Sequence, residues 1–305
     1  MTDSEQSLSA LQQFAAERGI SARPGVPLAG YTTFRIGGPA GLLCEPEDEA
    51  SLLALMGEAH RLGVRYYLLG NGSNVLFADE GFDGAVIRTS RALNSVCAEG
   101  DSITAGAGVL LTRVCTVARD AGLTGLEFAY GIPGTVGGAV YMNAGAYGGE
   151  MRDVLASVRF LDEEGQVKEL PADQLALGYR TSIFESRPWC VLSARFGLCA
   201  GNVQEIGAAM EDYMSRRKSK QPLELPSAGS TFKRPVGAYA GALIDQCGLR
   251  GFRIGDAAIS EKHCGFVVNL GQATCQDVLR LTDEVCRIVK EKTGFTLEKE
   301  IRVVR

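Results

Sequence analysis

The sequence predicts an α+β protein assembled from two or three compact units, and three observations carry that reading. The chain has 305 residues, more than one small core organises well. Its N-terminal part reads as a β-α-β unit ending in the glycine-rich loop Gly70-Asn71-Gly72-Ser73-Asn74. After a change of composition near Gly201, helices and short strands follow in an order that reads as a compact α+β unit.

Along the chain, Leu8, Leu11, Phe14 and Ala15 mark a short amphipathic helix, followed by a Pro-containing connection. Gly41–Cys44 reads as a strand. Leu52, Leu53, Leu55, Met56 and Ala59 recur at helical spacing, with Gly63 as the stop. Arg65–Leu69 is the second strand of the unit. Short β-like runs begin at Gly84, with Ala85–Arg88 and Ser102–Ala105 the clearest, and a helix is predicted over 110–121. Residues 131–149 show neither helical nor strand periodicity. Two strands flank a turn at Glu163–Gln166, and Trp189–Phe196 supplies another. A strong helix through Ile206, Met210 and Tyr213 ends in the basic run Arg216–Lys220. The remainder reads helix (Tyr239–Cys247), strand (Arg253–Ser260), strand (Cys264–Leu270), helix (Thr274–Thr293) and strand (Phe295–Val304).

Composition excludes several classes of function. A net charge of −5 argues against a general nucleic-acid surface, so an anionic ligand must be held by local donors. No apolar stretch reaches the roughly 20 residues that a membrane span needs. Met1–Gln6 is acidic and polar, unlike a secretion signal, and a cytoplasmic location is expected. The nine cysteines form no Cys-x-x-Cys pair, and only His60 and His263 could add nitrogen ligands. Free, mostly buried thiols and no metal site are therefore expected.

The 38 glycines are the unusual feature. In Gly70–Asn74, consecutive amides following a strand can form a nest for a diphosphate. It is neither a P-loop nor a dinucleotide fingerprint, because no Gly-Lys-Ser/Thr follows and Val75 stands where the third glycine belongs. The plainer reading is a turn. Gly131-Ile132-Pro133-Gly134-Thr135-Val136-Gly137-Gly138 and Asn143-Ala144-Gly145-Ala146-Tyr147-Gly148-Gly149 suggest backbone drawn along a flat or phosphorylated ligand. For Arg216–Lys220 a solvated helix end is the favoured reading, and substrate phosphates are the alternative. Tyr179-Arg180 places a cation among apolar neighbours, where a buried guanidinium needs an anionic partner. Ser230 lies in sequence near Lys233 and Arg234. On the last strand, Leu297, Ile301 and Val303 share one face while Glu298 and Glu300 point the other way.

Together these segments resemble the UDP-N-acetylenolpyruvoylglucosamine reductase family from about Tyr31 to Val304. The matching motifs are Thr33–Gly38, Gly70–Asn74, Gly131–Tyr147, Tyr179-Arg180, Gly229–Lys233, Ala240–Ile244 and Ser260–His263. The resemblance implies a two-part FAD-binding domain of the vanillyl-alcohol-oxidase/PCMH type and a C-terminal α+β substrate domain. The implied divisions are 1–83 and 84–200 for the FAD domain and 201–305 for the substrate domain. It implies Arg180, Ser230 and Glu300 as catalytic residues, and Tyr179, Lys233 and Arg234 as substrate contacts. FAD contacts are implied at Arg35, Gly37, Gly70, Asn71, Gly72, Ser73 and Asn74. Further contacts are implied at Ile132, Pro133, Gly134, Thr135, Gly137, Gly138, Asn143, Gly145 and Ala146.

The implied reaction is NADPH-dependent reduction of UDP-N-acetylglucosamine enolpyruvate in cell-wall synthesis. The chain looks like the shorter branch of the family, because the Arg180–Ser230 interval lacks room for a tyrosine-bearing lid. Arg234 stands where some members have asparagine. No histidine lies in either glycine-rich loop, so FAD is expected to be non-covalent. Two other readings remain open: an FAD-dependent oxidoreductase of a small alcohol or sugar, and a non-catalytic sensor of FAD or a UDP-sugar.

Overall fold

A computed structural model describes residues 3–305. The chain packs as two compact units. Unit 1 holds the residues up to Arg23, Leu42–Asn71 and Ala85–Arg217; unit 2 holds Pro24–Gly41, Gly72–Gly84 and Lys218–Arg305.

In unit 1, α1 (Asp3–Glu17) buries Leu11 and Ala15. Helix α2 (Glu49–Arg61) starts where Asp48 accepts a 2.7 Å hydrogen bond from the Ser51 amide. It ends at Gly63, whose φ of 66° suits a residue without Cβ. The residues expected to face the core, Leu52, Leu55, Met56 and Ala59, are buried. The unit's residues 42–45, 85–88 and 66–69 lie in a four-stranded sheet of strand order Ser21–Pro27, Pro39–Glu45, Phe82–Arg88, Tyr66–Leu69. Its last two strands pair in parallel from Tyr66↔Ala85 to Leu69↔Arg88. A five-stranded antiparallel sheet has the order Val167–Pro171, Leu155–Leu161, Cys190–Gly197, Ser102–Gly106, Val96–Glu99. Helices α3 (Leu111–Asp120), α4 (Val136–Tyr141) and α5 (Val203–Lys220) complete the set.

Unit 2 contains α6 (Ala240–Gln246), α7 (Cys275–Thr293) and an antiparallel sheet ordered Ser227–Ser230, Phe266–Asn269, Ala257–Ile259, Arg253–Ile254. A parallel pair joins Val75–Phe77 to Arg302–Val304. Thr274 and Asp277 form a capping box on α7. Asp79 adds a second cap, accepting from the amides of Cys275 (2.7 Å) and Gln276 (3.0 Å). The unit's core gathers Phe34, Ile36, Leu76, Phe232, Ile244, Val267 and the buried stripe of α7.

Four expectations are corrected. The Pro-containing connection is the strand Ser21–Pro27, first in its sheet, where a missing proline N–H costs little. Residues 131–149 are not structureless. They hold α4, which buries Val136, Ala139 and Val140, and a hairpin of Gly145–Ala146 with Gly149–Glu150. Arg253–Ser260 is two strands, not one, because Gly255 at φ 56° turns the chain between them. Only Arg302–Val304 of the last stretch is strand, while Phe295–Glu300 is extended chain touching Phe232 through a single bridge at Lys299.

All nine cysteines are free. Burial pushes the Cys44, Cys115 and Cys190 thiols up to about 12, whereas Cys97 and Cys199 are exposed. The native protein is thus expected to react quickly with a thiol reagent at Cys97 and Cys199. Cys44, Cys115 and Cys190, three of the six buried thiols, should label only after unfolding. Mass mapping of the labelled sites checks this, and early labelling of Cys115 would refute it.

Candidate active site

In unit 1 the chain leaves the strand Tyr66–Leu69 and turns at Gly70-Asn71. A Cβ on Gly70 would stand 2.4 Å from Thr135 Oγ1, so this approach requires glycine. Asn71 Nδ2 donates to the Pro133 carbonyl at 2.5 Å. The stretch beyond is laced to 107–111: Leu111 N donates to Gly134 O, Val136 N to Val109 O and Gly137 N to Ala107 O. Sequence reasoning expects a ligand to explain the glycines here, but protein packing explains several. A Cβ would meet Ala107 at Gly137, Glu150 and the Gly149 carbonyl at Gly145, the Phe128 ring at Gly149 and the Arg217 stem at Gly131. What these loops offer a ligand is main-chain donors. The amides of Asn71, Gly134 and Gly138 meet no acceptor among the described residues. Such donors suit a diphosphate, so these residues fit FAD.

Asn143 is completely buried with φ 41°. Its Nδ2 donates to Gly178 O (2.9 Å) and Glu150 Oε2 (3.1 Å), and its Oδ1 accepts from the Arg152 amide (2.9 Å). The side chain therefore holds the loop's own shape. Arg180 adopts φ 58° and donates from Nη2 to Gly145 O at 3.2 Å. Its guanidinium lies 5.1 Å from the ring centre of the exposed Tyr179. Arg180 is half-buried, not buried as expected, and one of its partners is a neutral carbonyl. Among the described residues only five non-glycines have positive φ, and Arg35, Asn143, Tyr147 and Arg180 are four of them. Such backbone costs about 1–3 kcal/mol at each residue and collects where function demands it.

Sequence reasoning missed two features of this unit. Tyr147 stacks on Tyr213 of α5 with centroids 4.7 Å apart, beside a cleft of about 520 Å³ that Tyr147 and Gly149 of the glycine-rich stretch line but none of the implied FAD, substrate or catalytic residues does. The basic run continues α5, with Arg216 paired to Asp212 at 2.7 Å. Arg217 is half-buried against Gly131, and its burial lowers the guanidinium from its ordinary value. That residue departs from the solvated-face reading.

In unit 2, Gly37 at φ 142° would bring a Cβ to 2.9 Å from Phe77 Cβ, and Arg35 beside it is exposed. Thr33 Oγ1 donates to Ser227 O (2.6 Å), and Asn269 Nδ2 donates to Phe34 O (3.2 Å). Gly72 is closed in by Tyr31 O, 2.4 Å from its would-be Cβ. Strand Ser227–Ser230 shifts register against Phe266–Asn269 at Gly229, whose φ of 77° makes the irregularity that leaves Ser230 exposed.

Main-chain bonds then bring Ser230 and Glu300 onto adjacent stretches. The Glu300 amide donates to Thr231 O and the Lys233 amide to Glu298 O, both at 2.8 Å. Lys233 Nζ lies 3.5 Å from Glu298, so the cation nearest Ser230 in sequence is itself paired. Arg234 stands over the exposed Tyr239 ring at 4.0 Å. Among the described residues no group of three His, Cys, Asp or Glu side chains could hold a metal.

Comparison with known proteins gives a consistent picture. Residues 40–171 match the model of an FAD binding domain, and 221–304 match that of the UDP-N-acetylenolpyruvoylglucosamine reductase C-terminal domain. The UDP-N-acetylenolpyruvoylglucosamine reductase of Lachnoclostridium phytofermentans is 47% identical over 282 residues, covering 91% of each chain. That of Caldanaerobacter subterraneus is 47% identical over 278 residues, covering 91% of this chain and 92% of its own. The crystal structure of the Thermus caldophilus enzyme superposes with a TM-score of 0.80 at 40% identity, covering 94% of this chain and 99% of that one.

Proposed function

Because the chain belongs to the UDP-N-acetylenolpyruvoylglucosamine reductase family, we propose that Arg180, Ser230 and Glu300 carry its catalysis. The protein is an FAD-dependent oxidoreductase that reduces UDP-N-acetylglucosamine enolpyruvate with NADPH in peptidoglycan synthesis. The two other readings, oxidation of a small alcohol or sugar and non-catalytic sensing, are not favoured by relatives of this identity.

When bound, FAD supplies the hydride, taken from NADPH and given to the β-carbon of the enol ether. The protein's task is to steady the negative charge left on the α-carbon and carboxylate, and then to protonate it. Arg180 supplies positive charge, and Glu300 steadies the enolate through a proton it carries or a water it orients. Ser230 gives the final proton to the α-carbon. Its alkoxide needs a cation, and Lys233, three residues on, is the candidate. The observation that carries this assignment is the joining of the Ser230 and Glu300 stretches through the Thr231–Glu300 hydrogen bond.

Tyr179 and Arg234 complete the proposed substrate contacts. FAD is held by the loops containing Arg35, Gly37, Gly70–Asn74, Ile132–Gly138 and Asn143–Ala146, with Asn143 acting through the fold of its loop. The division into 1–83, 84–200 and 201–305 belongs to the same proposal; the matched models separate an FAD-binding stretch, 40–171, from a C-terminal one, 221–304. Among the described residues no helix is long and apolar enough to cross a membrane. We place the reaction in the cytoplasm.

Two experiments test this reading. Beyond the one equivalent that reduces the bound flavin, NADPH absorbance should keep falling only when the enolpyruvyl substrate is present, and sustained consumption without it would favour an oxidase. Gly70→Ala should purify with much less flavin, because the added methyl displaces Thr135. Full flavin occupancy in that variant would detach the loop from FAD binding.

A further inference from the structure

We infer that Asn74 is a positioning residue for Glu300, an inference that rests on the catalytic role proposed for that carboxylate. Both residues belong to unit 2. The parallel pairing of Val75–Phe77 with Arg302–Val304 begins at Arg302. Glu300 therefore lies outside the regular strand, where no ladder fixes it. Asn74 extends the hold to that point. Its carbonyl accepts from the Arg302 amide at 3.0 Å, and its Nδ2 donates to the Glu300 carbonyl at 3.3 Å. From the other side the Glu300 amide donates to Thr231 O at 2.8 Å. The peptide groups of Glu300 are thus clamped between Asn74 and the residue after Ser230.

The requirement is for an N–H donor on a short stem. Aspartate has the same shape but offers no donor, and its charge would face a carbonyl dipole. The clamp is anchored in turn, because the Gly72 carbonyl accepts from the Thr33 amide at 3.2 Å and Tyr31 fills the space beside Gly72. A misplacement of about 1 Å at a reacting group can cost about 100-fold in rate.

The test uses full-length protein assayed with excess FAD, and reads the two half-reactions separately in Asn74→Asp and Asn74→Ala. Flavin reduction by NADPH, which reports any loss of the FAD contact proposed for this loop, should fall by a clearly smaller factor than reoxidation. Flavin reoxidation by the enolpyruvyl substrate should slow about 10- to 100-fold. In a Glu300→Gln background the same changes should add almost nothing, since residues that act as one unit are non-additive. Slowing of both half-reactions alike, or additive losses in the double variants, would overturn the inference and make Asn74 a cofactor contact only. If Glu300→Gln alone reoxidises at the wild-type rate, the catalytic assignment fails first and the inference falls with it.

Discussion

Ser230→Ala is expected to slow flavin reoxidation by the enolpyruvyl substrate by about 10³-fold while leaving FAD content and reduction by NADPH near wild type. The size follows from the task. The α-carbon carries a charge that only a positioned proton quenches, and neighbouring groups are poorly placed to replace the serine. Lys233 is engaged with Glu298, and its flexible stem makes it a loosely aimed donor. Threonine at 231 is buried, with its hydroxyl accepting from the Val267 amide. The competing view makes Ser230 a mere part of the irregularity after Gly229. Its hydroxyl makes no hydrogen bond to the described residues, so that view predicts a stability change under about 1 kcal/mol and little change in rate. Rapid mixing of pre-reduced variant with substrate separates the two. Wild-type reoxidation, with product of normal configuration at the α-carbon, would exclude Ser230 as the donor.

Arg180→Lys should be nearly as damaging, with reoxidation down about 10²- to 10³-fold. Lysine keeps the charge but not the planar fork, and one arm of that fork is already spent on Gly145 O. The left-handed backbone at Arg180 is unchanged by the substitution, so folding should be little affected. Reduction by NADPH is the internal control. A loss confined to that first half-reaction would move Arg180 from the substrate to the nicotinamide step.

The elements that could be read from sequence are those whose residues satisfy one another locally. Helix α2 shows its buried face in the spacing of Leu52, Leu55, Met56 and Ala59, and α7 shows its start in Thr274 and Asp277. Helix α4 escapes because six residues give too few turns for a period. The second cap of α7 comes from Asp79, 196 residues upstream, a distance no local pattern spans. Glycines mislead for a related reason. Gly149 is required by the Phe128 ring and Gly145 by Glu150, close approaches that appear only when the chain is folded. For the site, residue types pointed to chemistry, but the joining of Ser230 to Glu300 depends on pairings between 231–233 and 298–300. The bond from Asn74 to Glu300 crosses 226 residues and left no trace in the sequence pattern.

The central claim is that one protein passes reducing power from NADPH to an enolpyruvyl sugar nucleotide in two separable steps. An anaerobic titration of the FAD-loaded protein tests it most directly. Equimolar NADPH should bleach the flavin absorbance, and equimolar UDP-N-acetylglucosamine enolpyruvate added afterwards should restore it fully, with UDP-N-acetylmuramate formed in matching amount. Bleaching that only oxygen reverses, or no bleaching at all, would contradict the account.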